Sequence, residues 1–376
     1  MTPRERLLAA LRGQPVDRVP VWLLFPYHPT GYYVDVRTNP CYVPIFEKSK
    51  QCAVMLDRRS PHAPLFAPDV TDQHQEGTEA GWRFNRRALS YRGRQLVSET
   101  RRRGTEVRVK KLLESEADLD TLLTFPVNDD PRRVAATLDR QAVRYFAERD
   151  EFPLEYGAMM LDLGEPIGFL YHNTNLEEYA LWSLACSDKV VAFLDRAMRH
   201  YRLEYEYWLK RAAADVYFLV GSELAAPPMV SRETFQRWIV PYARELITMI
   251  HAHGKLAIQH YHGQIKQILP DFLTMGPDAL HTIESPPTGN CTLPEAFEVV
   301  GDRMTLIGNI QYDLFRSLTP AQMREEVGRV LAETRGRRFI LSPTAGPYEE
   351  QIPQRQIDNY LAFLAAGWEL GNRGST

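Results

Sequence analysis

From Phe152 onward, short apolar runs rich in β-branched and aromatic residues alternate with longer amphipathic segments. The runs are Asp215–Val220, Lys255–Gln259, Ala279–Ile283, Thr305–Ile307 and Arg338–Leu341. The intervening segments, at about 187–213, 231–252, 264–275, 320–334 and 353–366, carry the 3.6-residue periodicity of surface helices. Strands separated by single helices predict a parallel sheet. For 376 residues a closed (β/α)8 TIM barrel fits better than an open sheet. No Gly-rich phosphate fingerprint follows any strand, which weakens a dinucleotide-binding reading.

The first 150 residues are harder to read. A helix from about Pro3 to Arg12 ends at Gly13, and Val19–Phe25 reads as a buried strand. Residues 28–80, rich in Pro, Tyr and His, resemble long loops. Residues 81–111 alternate polar with apolar positions around Arg92-Gly93 and Arg103-Gly104, as β-hairpins do. The chain, 1–376, is therefore expected to be one barrel domain with N-terminal loop and β-hairpin insertions. The hairpin stretch holds eleven Lys or Arg against two Glu. A solvated hairpin face explains that charge plainly, and an anion-binding lid over the barrel mouth is the sharper alternative.

Composition narrows the function classes. A net charge of −3 gives no electrostatic footprint for nucleic acid. No apolar run reaches membrane-spanning length. The N-terminus lacks the continuous apolar stretch of a signal peptide, so a cytoplasmic protein is expected. Cys41, Cys52, Cys186 and Cys291 show no CxxC spacing, which suggests neither a disulfide framework nor a thiolate metal site.

In a barrel the chemistry sits where strands end. The five apolar runs lead into Gly221-Ser-Glu223, His260-Tyr-His262-Gly263, Glu284-Ser-Pro-Pro287, Gly308-Asn309 and Ser342-Pro-Thr-Ala-Gly346. His260 and His262 stand at i and i+2 of a strand, so both rings face one side. With Glu223 and Glu284 ending neighbouring strands, imidazole and carboxylate form an ordinary ligand set for a borderline divalent ion. The catalytic candidates are thus Glu223, His260, His262 and Glu284. Candidate metal ligands are His260, His262 and Glu284, with Glu223 as the other carboxylate. Both glutamates also have structural readings, as partners of loop amides or arginines. Tyr171, His172, Asn309 and Tyr348 are candidates for substrate contact, although Asn309 also reads as a helix cap. His251 and His253 read as partners of a helix C-terminus.

At these residues the chain resembles the uroporphyrinogen decarboxylase superfamily, which also contains cobalamin-linked methyltransferases. The resemblance lies in MTPRERLLAALRGQPVDRVPVW, in GSELAAPPMVSRETFQRWIVPYARELI and in LAIQHYHGQIKQILPDFLTMGPDALHTIESP, and continues in GDRMTLIGNIQYDLF and RRFILSP. It implies a barrel enzyme. In the decarboxylase an arginine-rich motif after the first strand binds substrate propionates. Here that place reads Leu24-Phe-Pro-Tyr-His-Pro-Thr-Gly31, with no arginine. In the methyltransferases zinc is held by a His-x-Cys pair and a later Cys. The pair aligns with His260 and His262, and the later position falls near Thr344-Ala345.

The resemblance therefore implies a methyltransferase or demethylase acting on a small methylated compound. A divalent metal, zinc foremost, is its expected cofactor, and a corrinoid protein and a second copy of the chain are its expected partners. The alternatives are a metal-free decarboxylase of a carboxylated small molecule and a non-catalytic ligand-binding barrel.

Overall fold

The computed structural model describes residues 1–29 and 34–373. Thr30 and Gly31, which end the segment Leu24–Gly31 read above, lie outside the described residues. Eleven strands are present among the described residues: β1 Met55–Arg59, β2 Thr71–Glu79, β3 Trp82–Tyr91, β4 Arg94–Arg103, β5 Glu106–Lys110, β6 Gly157–Leu161, β7 Val216–Leu219, β8 Leu256–His260, β9 Ala279–His281, β10 Thr305–Ile310 and β11 Phe339–Pro343.

Seven of them form one parallel sheet in the order β1-β6-β7-β8-β9-β10-β11. The sheet is that of a TIM-barrel-like mixed α/β fold. The expected strand Val19–Phe25 makes only isolated bridges, Val21 with Leu341 and Trp22 with Val54, both parallel. Those bridges tie one short segment to both edges of the sheet. Trp22 N–H donates to the Leu341 carbonyl at 2.8 Å, and Val54 N–H donates to the Val21 carbonyl at 2.8 Å. The segment is short because Pro20 brings no N–H and Leu24 turns at φ 61°.

Alternation along the strands separates two packed layers. Leu56, Ala158, Met160, Val216, Phe218, Leu256, Ile258, Ala279, Ile307 and Ile340 form an inner cluster with Trp22. Their neighbours Met55, Met159, Leu161, Tyr217, Leu219, Ala257 and Leu280 belong to the larger cluster under the helices. With a period of two, the next inner positions are Arg58, Asp162, His260 and His281. Ring contacts agree: His260 lies 5.2 Å from Phe218, and His281 lies 5.6 Å from Trp22.

The helices fall close to their predicted places. Ser187–Lys210, Leu269–Met275, Pro320–Glu333 and Gln354–Leu370 each cover an outer face. The helix predicted at 231–252 is instead two, Arg232–Trp238 and Val240–Ala252. Pro241 has no N–H for residue 237 and its ring opposes that carbonyl, so the chain breaks at Ile239.

Two readings of the N-terminal half need correction. Residues 28–80 are not mainly loop, since they hold the helix Val43–Cys52, β1 and β2. The hairpins begin at Thr71, not near 81, and β2-β3-β4-β5 form an antiparallel sheet. Its turns at Ala80-Gly81 and Arg92-Gly93 have positive φ at both residues, as tight hairpins of this twist require. Five of its arginines are internally paired, Arg101 with Glu79 and Glu99 among them. Arg86 meets Glu99, Arg87 meets Asp72, and Arg103 and Arg108 share Glu106.

Candidate active site

At the C-terminal ends of the parallel strands lies a cavity of about 860 Å³. Its wall draws on β1 through Arg58 and on the exit of β6 through Asp162 and Glu165. The exit of β7 adds Glu223, β8 adds His260 and His262, and the exit of β11 adds Thr344 and Ala345. Tyr171, His172 and Tyr348 complete the side nearer solvent, and Arg87 reaches in from β3. Among the hairpin cations described, Arg87 alone lines this cavity, and Asp72 holds it at 2.8 Å.

Glu284 lies in an adjoining recess of about 300 Å³ that shares His262, Thr344, Ala345 and Tyr348 with the main cavity. Asn309 borders neither space. It is buried within β10, not beyond its end, and donates to Ser285 Oγ at 3.2 Å. His251 and His253 sit apart from the site, on Asp278 and on the Met249 carbonyl.

The two histidines make different contacts. The ring of His262 stands 4.6 Å from that of His260, nearly perpendicular to it at 86°. Nδ1 of His262 is 3.3 Å from Glu284 Oε1, while Glu284 Oε2 accepts from Gly263 N–H at 2.7 Å. Burial disfavours the charged His262 ring, yet the hydrogen bond and charge of Glu284, joined by the charge of Glu223, raise its pKa. His260 presents Nδ1 to Nδ1 of His281 at 2.7 Å, and its Nε2 lies 3.7 Å from Glu223 Oε1. Burial, reinforced by His281 and His262, holds His260 neutral well below the usual imidazole range.

Glu223 and Glu165 are perturbed in the opposite direction to His260. Burial raises Glu223, and Oε2 of its carboxyl is buried without a hydrogen-bond partner. Glu165 is pushed up to about 7 by complete burial, against hydrogen bonds from Ser222 Oγ at 2.8 Å and Gln259 Nε2 at 2.9 Å. Glu165, able to carry a proton near neutrality, and Glu223, raised by burial, therefore face a cavity that also holds a neutral imidazole.

The fit of a divalent ion follows from these contacts. Two ligands of one tetrahedral ion, with bonds of roughly 2.1 Å, stand about 3.4 Å apart. The 3.7 Å between His260 Nε2 and Glu223 Oε1 is close to that spacing, and the orphaned Glu223 Oε2 is a donor without a partner. Glu284 is already engaged by His262 and Gly263, so Glu223 fits the carboxylate position better. No three His, Cys, Asp or Glu among the described residues are gathered closely enough to enclose an ion. The four cysteines are free, and among the described residues none lines the cavity.

The sequence reading missed Arg58, Asp162, Glu165 and His281, and also a trio beside them, His62, His200 and Glu204. Asp162 and Glu165 follow the run Ala158–Leu161 as Glu223 follows its own strand, but that run is short and lacks β-branched residues. His281 lay within an expected strand, where a lone histidine reads as core.

The uroporphyrinogen decarboxylase (URO-D) family profile matches residues 169–367, more than half of the chain. Two curated sequences of the methylcobamide:CoM methyltransferase MtaA from Methanosarcina barkeri are each 23% identical over 192 residues. These matches cover 51% of this chain and 52% of theirs, so the chain spans about half the length of the curated relatives it matches. A solved methyltransferase from Methanosarcina mazei superposes with a TM-score of 0.59 at 19% identity, over 98% of both chains, which supports the fold. With its ordered strands, its matched profile and its strand-end cavity, this chain belongs to the uroporphyrinogen decarboxylase family.

Proposed function

We propose that the protein is a methyltransferase that moves a methyl group between a small methylated compound and a corrinoid carried by a partner protein. One observation carries this reading. His260, His262 and Thr344-Ala345, the positions aligned with the zinc ligands of the related methyltransferases, line one cavity although they are distant in sequence. The similarity to MtaA supports the same reaction class.

A corrinoid on the partner supplies or accepts the methyl group. A divalent ion, zinc by the resemblance, would be held by His260 with Glu223 and His262, and would polarise the heteroatom that bears the methyl group. The remaining work falls to the chain. When a methyl group leaves a heteroatom, that atom keeps the bonding electron pair and needs a proton. Glu165, raised by burial to about 7, holds a proton at the cavity wall for that purpose. Tyr171, His172 and Tyr348 border the substrate on the side of the cavity nearer solvent. Glu284 orients His262 through Nδ1.

In this reading the whole chain is one cytoplasmic domain with β2–β5 as its insertion. Pro20–Trp22 serves as the eighth strand that closes the barrel.

The test is a methyl-transfer assay. Protein, free methylcobalamin and a panel of thiols, amines and methoxylated compounds are mixed, and the corrinoid spectrum is followed in both directions. Demethylation or methylation of one compound class, lost in Glu223→Gln, supports the proposal. Release of carbon dioxide from carboxylated compounds with no methyl transfer overturns it in favour of a lyase.

A further inference from the structure

His260 and His281 are register partners on the parallel strands β8 and β9. Both point to the inner face, where their rings lie nearly parallel, 11° apart, with centroids separated by 4.9 Å. Nδ1 of one lies 2.7 Å from Nδ1 of the other. At that distance there is room for one hydrogen between the nitrogens, so one ring donates and the other accepts.

The outer contact of His281 decides which. Its Nε2 lies 3.2 Å from the Pro343 carbonyl oxygen. A carbonyl only accepts, so Nε2 of His281 carries the hydrogen. A neutral imidazole has a single N–H. Nδ1 of His281 is therefore bare and must be the acceptor. The hydrogen between the rings then belongs to His260 Nδ1, which leaves His260 Nε2 bare. A charged His281 would undo this assignment. Its ring is fully buried, and its two hydrogen-bond contacts are a carbonyl and another imidazole, so no carboxylate is there to hold a charge and the ring stays neutral.

We infer that His281 is a positioning residue that locks His260 in the Nδ1–H tautomer and presents the lone pair of His260 Nε2 to the cavity, toward Glu223. The relay runs Pro343 carbonyl, His281, His260, and its direction is set by the one group that cannot donate. A lone pair at Nε2 can bind a cation or take a proton, but it cannot donate a hydrogen bond. This fixes what His260 offers a ligand: a base or a ligand atom, never a donor. The assignment needs no metal and holds for any reaction run in this cavity. Failure of methyl transfer thus leaves it standing, and its own failure leaves the methyl-transfer reading standing.

The measurement is the two-bond hydrogen–nitrogen correlation spectrum of the full chain with ¹⁵N-labelled histidine, with His260 assigned by its loss in His260→Gln. In the wild type, His260 Nε2 should resonate as a non-protonated nitrogen and Nδ1 as a protonated one. His281→Asn places an amide oxygen near the position of Nδ1 and should preserve this pattern. His281→Phe keeps the aromatic ring but accepts nothing, and should shift the His260 pattern toward the Nε2–H tautomer. A purely space-filling His281 predicts no such difference between Asn and Phe. An Nε2–H pattern in the wild type, or an unchanged Nδ1–H pattern in folded His281→Phe, overturns the inference. Should the Phe variant fail to fold, the wild-type spectrum still decides.

Discussion

Arg58 donates through Nε to Asp162 Oδ2 at 3.1 Å, across the ends of the adjacent strands β1 and β6. The pair stands on the cavity wall, and its guanidinium lies 5.3 Å from the ring of Phe218. Arg58 thus enters the cavity from β1, with its charge matched by a carboxylate. Arg87, the other arginine on the wall, is matched by Asp72. Four acids, Asp162, Glu165, Glu204 and Glu223, share the same lining.

That charge pattern is unsuited to uroporphyrinogen, which brings many carboxylates of its own. The protein is expected to show no measurable decarboxylation of that substrate. Turnover of about 1 s⁻¹ or faster, within the ordinary enzyme range, would contradict the argument from the wall charges.

Much of the second half of the chain was legible in the sequence. Buried parallel strands read as near-continuous apolar runs, and β7 to β11 all do. β1 and β6 were not legible for a local reason. Met55-Leu-Asp-Arg-Arg59 turns charged after two apolar residues, and Gly157-Ala-Met-Met-Leu161 is short and lacks β-branched residues. Missing those strands meant missing Arg58, Asp162 and Glu165. His281 required knowledge of strand register, which no spacing within one strand conveys. Glu284 and Asn309 were read as strand-end polar residues, but the loop after β9 carries Glu284 into the neighbouring recess, and Asn309 lies within β10 and turns to Ser285.

Glu204 should control the pH dependence of stability. It is buried between His200 Nε2 and His62 Nδ1, each at 3.5 Å, and accepts from Ala63 N–H. Burial alone would raise its carboxyl, but the two histidines together hold it at about 2, below the ordinary 4.5. Its contribution is therefore complete above pH 4.5 and is lost as the pH falls toward 2. His200 is raised above 6.5 by Glu204 despite burial, so its share is complete below pH 6.5 and fades as the pH climbs through its folded value. Glu204→Gln should cost about 3–5 kcal/mol near pH 6 and less at either extreme. Urea unfolding across the pH range checks this, and parallel profiles for variant and wild type would refute it.

Two glycines should respond oppositely to alanine. At Gly289 a Cβ would stand 2.1 Å from the Glu284 carbonyl oxygen and 2.7 Å from that of Gly263. Both neighbours are backbone, so the loop that holds Glu284 against His262 must move. Gly289→Ala should cost about 1–3 kcal/mol through overpacking. At Gly328, inside the helix Pro320–Glu333, the nearest atom is Leu370 Cδ1 at 3.6 Å, an ordinary contact. Gly328→Ala should stabilise by about 0.5–1 kcal/mol through helix propensity. Denaturant midpoints measure both, and a neutral Gly289→Ala would mean that the loop yields freely.

Metal binding is the last expectation. A catalytic divalent site needs three protein ligands and one open position for water or substrate. His260 Nε2 and Glu223 face each other at 3.7 Å, and the ring of His262 is the nearest further imidazole, 4.6 Å from that of His260. Closing such a set requires Glu223 and His262 to turn toward one point, and both lie beyond the ends of their strands. Purified protein incubated with zinc and then dialysed should retain about one ion per chain, as one such site requires. Glu223→Gln and His262→Ala should each fall well below that. Glu284→Gln removes the group that orients His262 and should weaken affinity by about 10- to 100-fold without abolishing it. The thermal midpoint of the metal-free His262→Ala protein should move by no more than about 2–4 °C, since the core strand beneath it is untouched. Element analysis settles the outcome. Full occupancy in His262→Ala removes that residue from the site, and a wild type that retains no zinc, iron, nickel or manganese leaves Glu223 and Glu165 to run the chemistry by proton transfer alone.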